Sequence, residues 1–177
     1  MLKPQDIVVL CWLIVRRDEP WRYIDLASSL EISQSEGHAA ANRLRQSRLM
    51  NVPFSFASAA PNTQAVEEFL VHGLRYVFYA ERGPVCRGLP TSVAALPLRN
   101  HFSVGEEIPV WPDPEGEARG YSLKPLYKSV PAAARKNSAL YELLALIDAL
   151  RDGRARERKM AAKLLKEKLH GYAREKT

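Results

Sequence analysis

The side chains best suited to chemistry in this chain lie close together, between Ser33 and Arg48. Asn42 and Gln46 carry amides that can pair bidentately with adenine, Arg43 carries a guanidinium that suits guanine, and the Ala39 methyl can touch thymine. Each good bidentate pair discriminates between bases by about 1–3 kcal/mol. Ser33 and Glu36 stand in capping-box spacing: the hydroxyl can accept from the amide three residues on while the carboxylate reaches back, so a helix starts there. Counted at the helical period from Ser33, Gly37, Ala40, Ala41 and Leu44 fall inward. Ser35, Ala39, Asn42, Arg43 and Gln46 fall outward, with His38 at the flank. The expected DNA contacts are Gln34, Ser35, His38, Ala39, Asn42, Arg43, Gln46 and Arg48, with Ser35 and Arg48 anchoring phosphates.

Asn, Arg and Gln are ordinary on any solvated helix face, so the order of elements carries the meaning. Tyr23, Leu26, Ala27 and Leu30 make one apolar side of a preceding helix, and Ala27 is small enough for a crossing helix to come close. A short turn at Glu31 and Ile32 follows, then the capped helix, then a strand-like exit from Leu49 to Val52.

The run Leu26-Ala27-Ser28-Ser29-Leu30-Glu31-Ile32-Ser33, with Ala40, Leu44 and Arg48-Leu49-Met50, resembles the winged helix-turn-helix of bacterial transcriptional regulators of the MarR-like type. The resemblance covers roughly residues 1–78 and implies duplex DNA binding through the second helix. That pattern usually carries Gly in the turn, where φ is positive; this chain has Glu31, at a cost of roughly 1 kcal/mol. Gly37, inside the reading helix, costs about 1 kcal/mol against Ala and lets two helices, or a phosphate, approach closely. The pattern also calls for a basic wing, but Ala57-Ser58-Ala59-Ala60-Pro61-Asn62 is small and uncharged, and Phe54 and Phe56 are expected to pack on the core.

The chain has 177 residues, a net charge of +6 and 46% hydrophobic residues, enough for a packed core and suited to a polyanionic partner. Residues 1–60 hold 7 basic against 6 acidic groups, 61–130 hold 7 against 8, and 131–177 hold 12 against 6, so the excess is C-terminal. Cys11 and Cys86 have no CxxC spacing, which fits free thiols in a reducing cytoplasm and excludes a disulfide framework or a zinc site. The apolar run Ile7–Val15 is far shorter than the roughly 20 residues of a membrane span. It reads as a core helix greasy all round, expected to pack against a partner subunit or the C-terminal helices. Trp21, in the link to the next helix, reads as a plug in the core.

Asn62 or Thr63 should cap a helix to about Tyr76, with Val66, Phe69, Leu70, Gly73 and Leu74 as its stripe. From Gly83 to Pro131 eight prolines oppose long helices and central strands, yet the segment holds Trp111 and many other large apolar groups. An ordered, irregular arm is expected, with Trp111 as its anchor. Asn137-Ser138 should cap a helix carrying Leu140, Leu143, Leu144, Ile147 and Leu150, and a last helix from Arg154 carries Met160, Ala161, Leu164, Leu165, Leu169 and Tyr172. Arg154, Arg156 and Arg158 form the densest basic cluster: a solvated face, a set of phosphate contacts, or a grip on an acidic partner.

Catalysis finds no support. His38, His72, His101 and His170 are scattered, no Gly-rich phosphate loop occurs, and the adjacent pairs Glu67-Glu68 and Glu106-Glu107 do not face one substrate. The expected fold is mainly α (α+β): a winged helix-turn-helix over 1–80, a Pro-rich arm over 81–131 and a helical segment over 132–177. The expected function is a cytoplasmic, sequence-specific double-stranded DNA-binding regulator, a repressor, without enzyme activity, cofactor or metal. It would dimerise through its N- and C-terminal helices. The alternative is an antitoxin-type module that holds a protein partner through the arm.

Overall fold

The computed structural model describes residues 1–16, 19–51 and 60–174, and the expected wing at Phe54 and Phe56 lies outside them. The fold is mixed α/β and mainly helical. Three helices open the chain: α1 (Pro4–Arg16), α2 (Tyr23–Leu30) and α3 (Gln34–Gln46). Met50 bridges antiparallel to Pro61, and Asn51 donates its amide to the Ala60 carbonyl, so the chain leaves α3 in extended form and returns. The Asn62 carboxamide then caps α4 (Thr63–Glu68), which runs through a π-helical turn (Phe69–Gly73) into α5 (Leu74–Val77).

The Pro-rich stretch departs from the irregular arm expected of it. Three strands, β1 (Arg82–Pro90), β2 (Pro109–Pro112) and β3 (Ala118–Leu123), close on one another; β1 pairs antiparallel with both, and β2 runs parallel to β3. The prolines are accommodated by position. Pro84 sits where the β1–β3 register slips, and Pro90, Pro109 and Pro112 stand at strand ends, so no interior ladder bond needs their missing N–H. Gly88 and Gly120 allow the tight closure, since an added Cβ would lie 2.1 Å from the Trp111 carbonyl oxygen or 1.9 Å from that of Ile108. The chain ends in α6 (Val130–Lys136), α7 (Ser138–Asp152) and α8 (Ala155–Arg174).

One hydrophobic cluster runs through the whole arrangement, from Ile7 to Leu169. Every residue from Ile7 to Ile14 is no more than 3% exposed, because α1 is sandwiched between α3 and α7. The all-round apolar character of α1 is therefore satisfied inside its own chain. Dimerisation through α1, expected from its composition, loses its surface, and residues 143–151 of α7 are likewise buried. No helix among the described residues is long and apolar enough to cross a membrane.

Candidate nucleic-acid interface

Local chemistry builds α3. The Glu36 amide donates to the Ser33 hydroxyl oxygen at 3.1 Å, and the Ser33 amide donates to the Glu36 carboxylate at 2.9 Å, which satisfies two orphan donors of the first turn. At the other end the Leu49 amide reaches the Leu44 carbonyl and the Arg48 amide reaches that of Arg45, a Schellman closure with Arg48 at φ 59°. The turn before α3 holds Glu31 at φ 53° and ψ 46°, the left-handed conformation anticipated there. Gly37 lets α2 and α3 come close: an added Cβ would lie 2.7 Å from Leu26 Cδ2. Trp21 plugs the base of α2, 7% exposed and edge-on to both Trp12 and Tyr23.

The exposed stripe of α3 carries Gln34, Ser35, His38 and Gln46, with Ala39 and Asn42 half-buried beside them and Arg48 exposed past its end. Asn42 is fixed within the helix: its amide nitrogen lies 3.1 Å from His38 Nδ1, and its amide oxygen accepts from the Arg45 guanidinium at 2.9 Å. His38 leans on the Tyr23 ring, with centroids 5.1 Å apart. Arg45 belongs to this stripe and was absent from the expected set. The spacing 38, 42, 45 at i, i+4 and i+7 is the signal that marks it.

Arg43 departs from the outward set. Its guanidinium turns towards α1 and meets both oxygens of Asp6, at 2.8 and 2.7 Å, on a carboxylate that is 0% exposed. The residue is three positions from Ala40 and one from Leu44, on the flank that α1 covers, so a buried carboxylate claims it and no base edge can.

The turn and the start of α3 are also braced from the C-terminal half. The Tyr127 hydroxyl donates to Glu36, the Ser129 hydroxyl to the Leu30 carbonyl, and Lys136 to Glu31. The Ser33 amide, the Ser33 hydroxyl and the Tyr127 hydroxyl hold the Glu36 carboxyl below the usual carboxylate range.

The basic cluster lies elsewhere. Arg154 and Arg156 are exposed, while Arg158 closes the α7–α8 corner by donating to the Gly153 carbonyl at 2.7 Å. In the packing order α3, α1, α7, α8, two helices separate the cluster from the α3 stripe. It does not flank α3.

A second polar constellation was invisible in the sequence. Asp148, 2% exposed, accepts from Thr91 Oγ1 at 2.9 Å, Trp111 Nε1 at 2.6 Å and Arg151 at 2.7 Å. Arg151 also donates to the Phe78 and Tyr79 carbonyls. Burial pushes the Asp148 carboxyl up, against the pull of Arg151, Thr91 and Trp111. Sealed from solvent, the cluster locks the strands and the end of α5 onto α7. Among the described residues no group of three or more His, Cys, Asp or Glu side chains could hold a metal ion.

Comparison of the chain with protein-family models, with curated proteins and with solved structures finds no match.

Proposed function

We propose that the chain is a sequence-specific duplex-DNA-binding transcriptional regulator that lays α3 in the major groove. One observation carries this reading, the state of Asn42. His38 and Arg45 orient its carboxamide, yet each end keeps spare capacity: a second hydrogen on nitrogen and a second lone pair on oxygen. One free donor beside one free acceptor is what the major-groove edge of adenine needs. Gln34, Ser35 and Gln46 extend the same polar stripe, and Arg45 supplies the guanidinium that Arg43 does not.

The antitoxin-type alternative has less to stand on. Leu98, Val110, Trp111 and Leu123, which an arm would offer to a partner, are no more than 1% exposed in the chain's own interior.

The test is fluorescence anisotropy with duplex from the region upstream of the coding sequence and with scrambled duplex, at two salt concentrations. The reading requires preference for the native duplex at both salts, and Asn42→Ala should erase about tenfold of it, in keeping with one lost bidentate contact. The same titration gives the stoichiometry on the site. Equal binding of the two duplexes by the unaltered protein would overturn it.

A further inference from the structure

Where α8 meets its neighbours its charges are neutralised: Lys166 and His170 pair with Glu67 of α4, and Lys168 pairs with Glu142 of α7. Where α8 diverges from α5 they are not. A concavity of about 300 Å³ opens there, lined by His72, Arg75 and Tyr76 from one side and by Arg158, Lys159 and Ala162 from the other, with no carboxylate in its lining. It shares Lys159 and Ala162 with an open trough of about 630 Å³ along α8, lined also by Lys163, Lys166, Glu167 and His170. Among the described residues no carboxylate pairs with Arg75, Arg156 or Lys159, and Lys163 has only the exposed Glu167 at 3.9 Å.

Such a row of like charges repels itself along a helix unless a polyanion lies along it. Tyr76 stands at the rim, 76% exposed, with the Arg75 guanidinium 5.3 Å from its ring centroid. A cation over one ring face and an open second face make a platform for a flat aromatic group. An acidic peptide would use the charges and leave the ring idle. A nucleic-acid strand uses both.

We propose that the concavity between α5 and α8, with the trough that continues it along α8, is a second nucleic-acid surface, independent of α3, which takes the phosphates of a single strand on Arg75, Lys159 and Lys163 and stacks an unpaired base on Tyr76. Because α1 and α7 stand between this surface and α3, the two can be occupied at once. Phosphate contact and stacking are indifferent to base identity, so the surface binds without sequence preference.

The experiment is anisotropy of a fluorescein-labelled oligo(dT) of about 20 nucleotides, longer than the roughly 4–16 that such a surface covers. The triple variant Arg75→Glu, Lys159→Glu, Lys163→Glu should bind at least tenfold more weakly. Its log–log salt slope should be shallower by about 2, at roughly 0.7 per lost phosphate contact on a single strand. Tyr76→Ala should weaken binding roughly tenfold, and both variants should keep the thermal midpoint of the parent. Asn42→Ala should bind oligo(dT) like the parent, which separates this surface from the duplex reading. The proposal is overturned if the parent does not bind oligo(dT), if the triple variant or Tyr76→Ala binds it equally well, or if Asn42→Ala loses it. Tighter binding of labelled poly-glutamate than of oligo(dT) would also overturn it and assign the trough to an acidic protein.

Discussion

Arg43 and Asp6, 37 residues apart, form a two-pronged pair in which Nε meets one carboxylate oxygen and Nη2 the other. The Lys3 amide donates to the same carboxylate at 2.8 Å, so Asp6 also caps the start of α1. The pair fixes the roll of α3 against α1, and with it which residues of α3 face solvent. A guanidinium of the type that reads guanine thus acts here as the clasp that aims its neighbours.

Arg43→Ala should therefore act on stability. Removing one partner leaves a buried, uncompensated carboxylate, which costs about 3 kcal/mol, read as a shift in urea-unfolding free energy. Lysine should recover little of it, because a point charge cannot make the two-pronged contact. Replacing both residues by apolar ones of similar volume should recover part of it, since the Lys3 amide then loses its acceptor. A variant Arg43→Ala that unfolds like the parent but loses duplex binding would return Arg43 to the reading set.

Glu31 and Arg48, at φ 53° and 59°, are non-glycine residues in the left-handed region at the two ends of the α3 unit. Arg48→Gly should stabilise the fold by up to about 1 kcal/mol, since the conformation then carries no Cβ penalty. Glu31→Gly should gain less, because it loses the exposed ion pair with Lys136. If Arg48 also anchors a phosphate, Arg48→Gly should raise the unfolding midpoint while making the duplex salt slope shallower by about 0.9. A lowered unfolding midpoint for Arg48→Gly would show that the side chain is needed for the fold.

What was legible in the sequence is what is local. The caps at Ser33, Asn62 and Asn137 each bind an amide three residues on; residue type and spacing single out Ser33 and narrow the other two to Asn62 or Thr63 and to Asn137-Ser138. The apolar stripes of α3 and α7 follow from periodicity in the same way, whereas the positive φ at Glu31 is implied only by the resemblance to the winged helix-turn-helix pattern. The direction of Arg43 was not legible, because its partner lies on another helix and at the flank of α3 the helical wheel is ambiguous. The strands are not legible because proline is a local breaker, whereas pairing between distant segments places the strand prolines Pro84, Pro90, Pro109 and Pro112 at a slip or an end. The destination of α1 was ambiguous for the same reason: a helix apolar on all sides announces burial without naming its neighbours. The polar stripe was found, but Asn42 as its organised centre required the orientation that His38 and Arg45 impose.

Acid should loosen the start of α3. The folded-state pKa of Glu36 is depressed, first by the Ser33 amide, then by the Ser33 and Tyr127 hydroxyls. Its contribution is complete above the ordinary glutamate value of about 4.3 and is lost as pH falls through the depressed one. Tyr127→Phe removes one donor and raises that folded value, so stability should fall less steeply between about pH 5 and pH 3 than in the parent. Urea midpoints across that range provide the check, and identical acid limbs would mean that Tyr127 does not hold the carboxylate in solution.

The buried Asp148 cluster titrates with the opposite sign. Burial raises the Asp148 pKa above its unfolded value, so folding disfavours the charged carboxylate, and the penalty is relieved as pH falls through the folded value. Trp111 opposes this by donating Nε1–H to Oδ2, the oxygen that also accepts from Thr91. Trp111→Phe keeps most of the ring volume and deletes the donor, which should cost about 1–3 kcal/mol at neutral pH for the under-satisfied oxygen. That cost should shrink as pH falls, because losing the N–H pushes Asp148 further up and protonation then removes the charge. Thr91→Val should behave likewise, and the two changes together should be non-additive, since both leave the same oxygen short of donors. Urea unfolding of the two single variants and the double variant at pH 7 and pH 5 measures both effects. Losses that are equal at the two pH values and strictly additive would mean that Trp111 contributes only its packed ring, and that Arg151 alone keeps Asp148 charged in the interior.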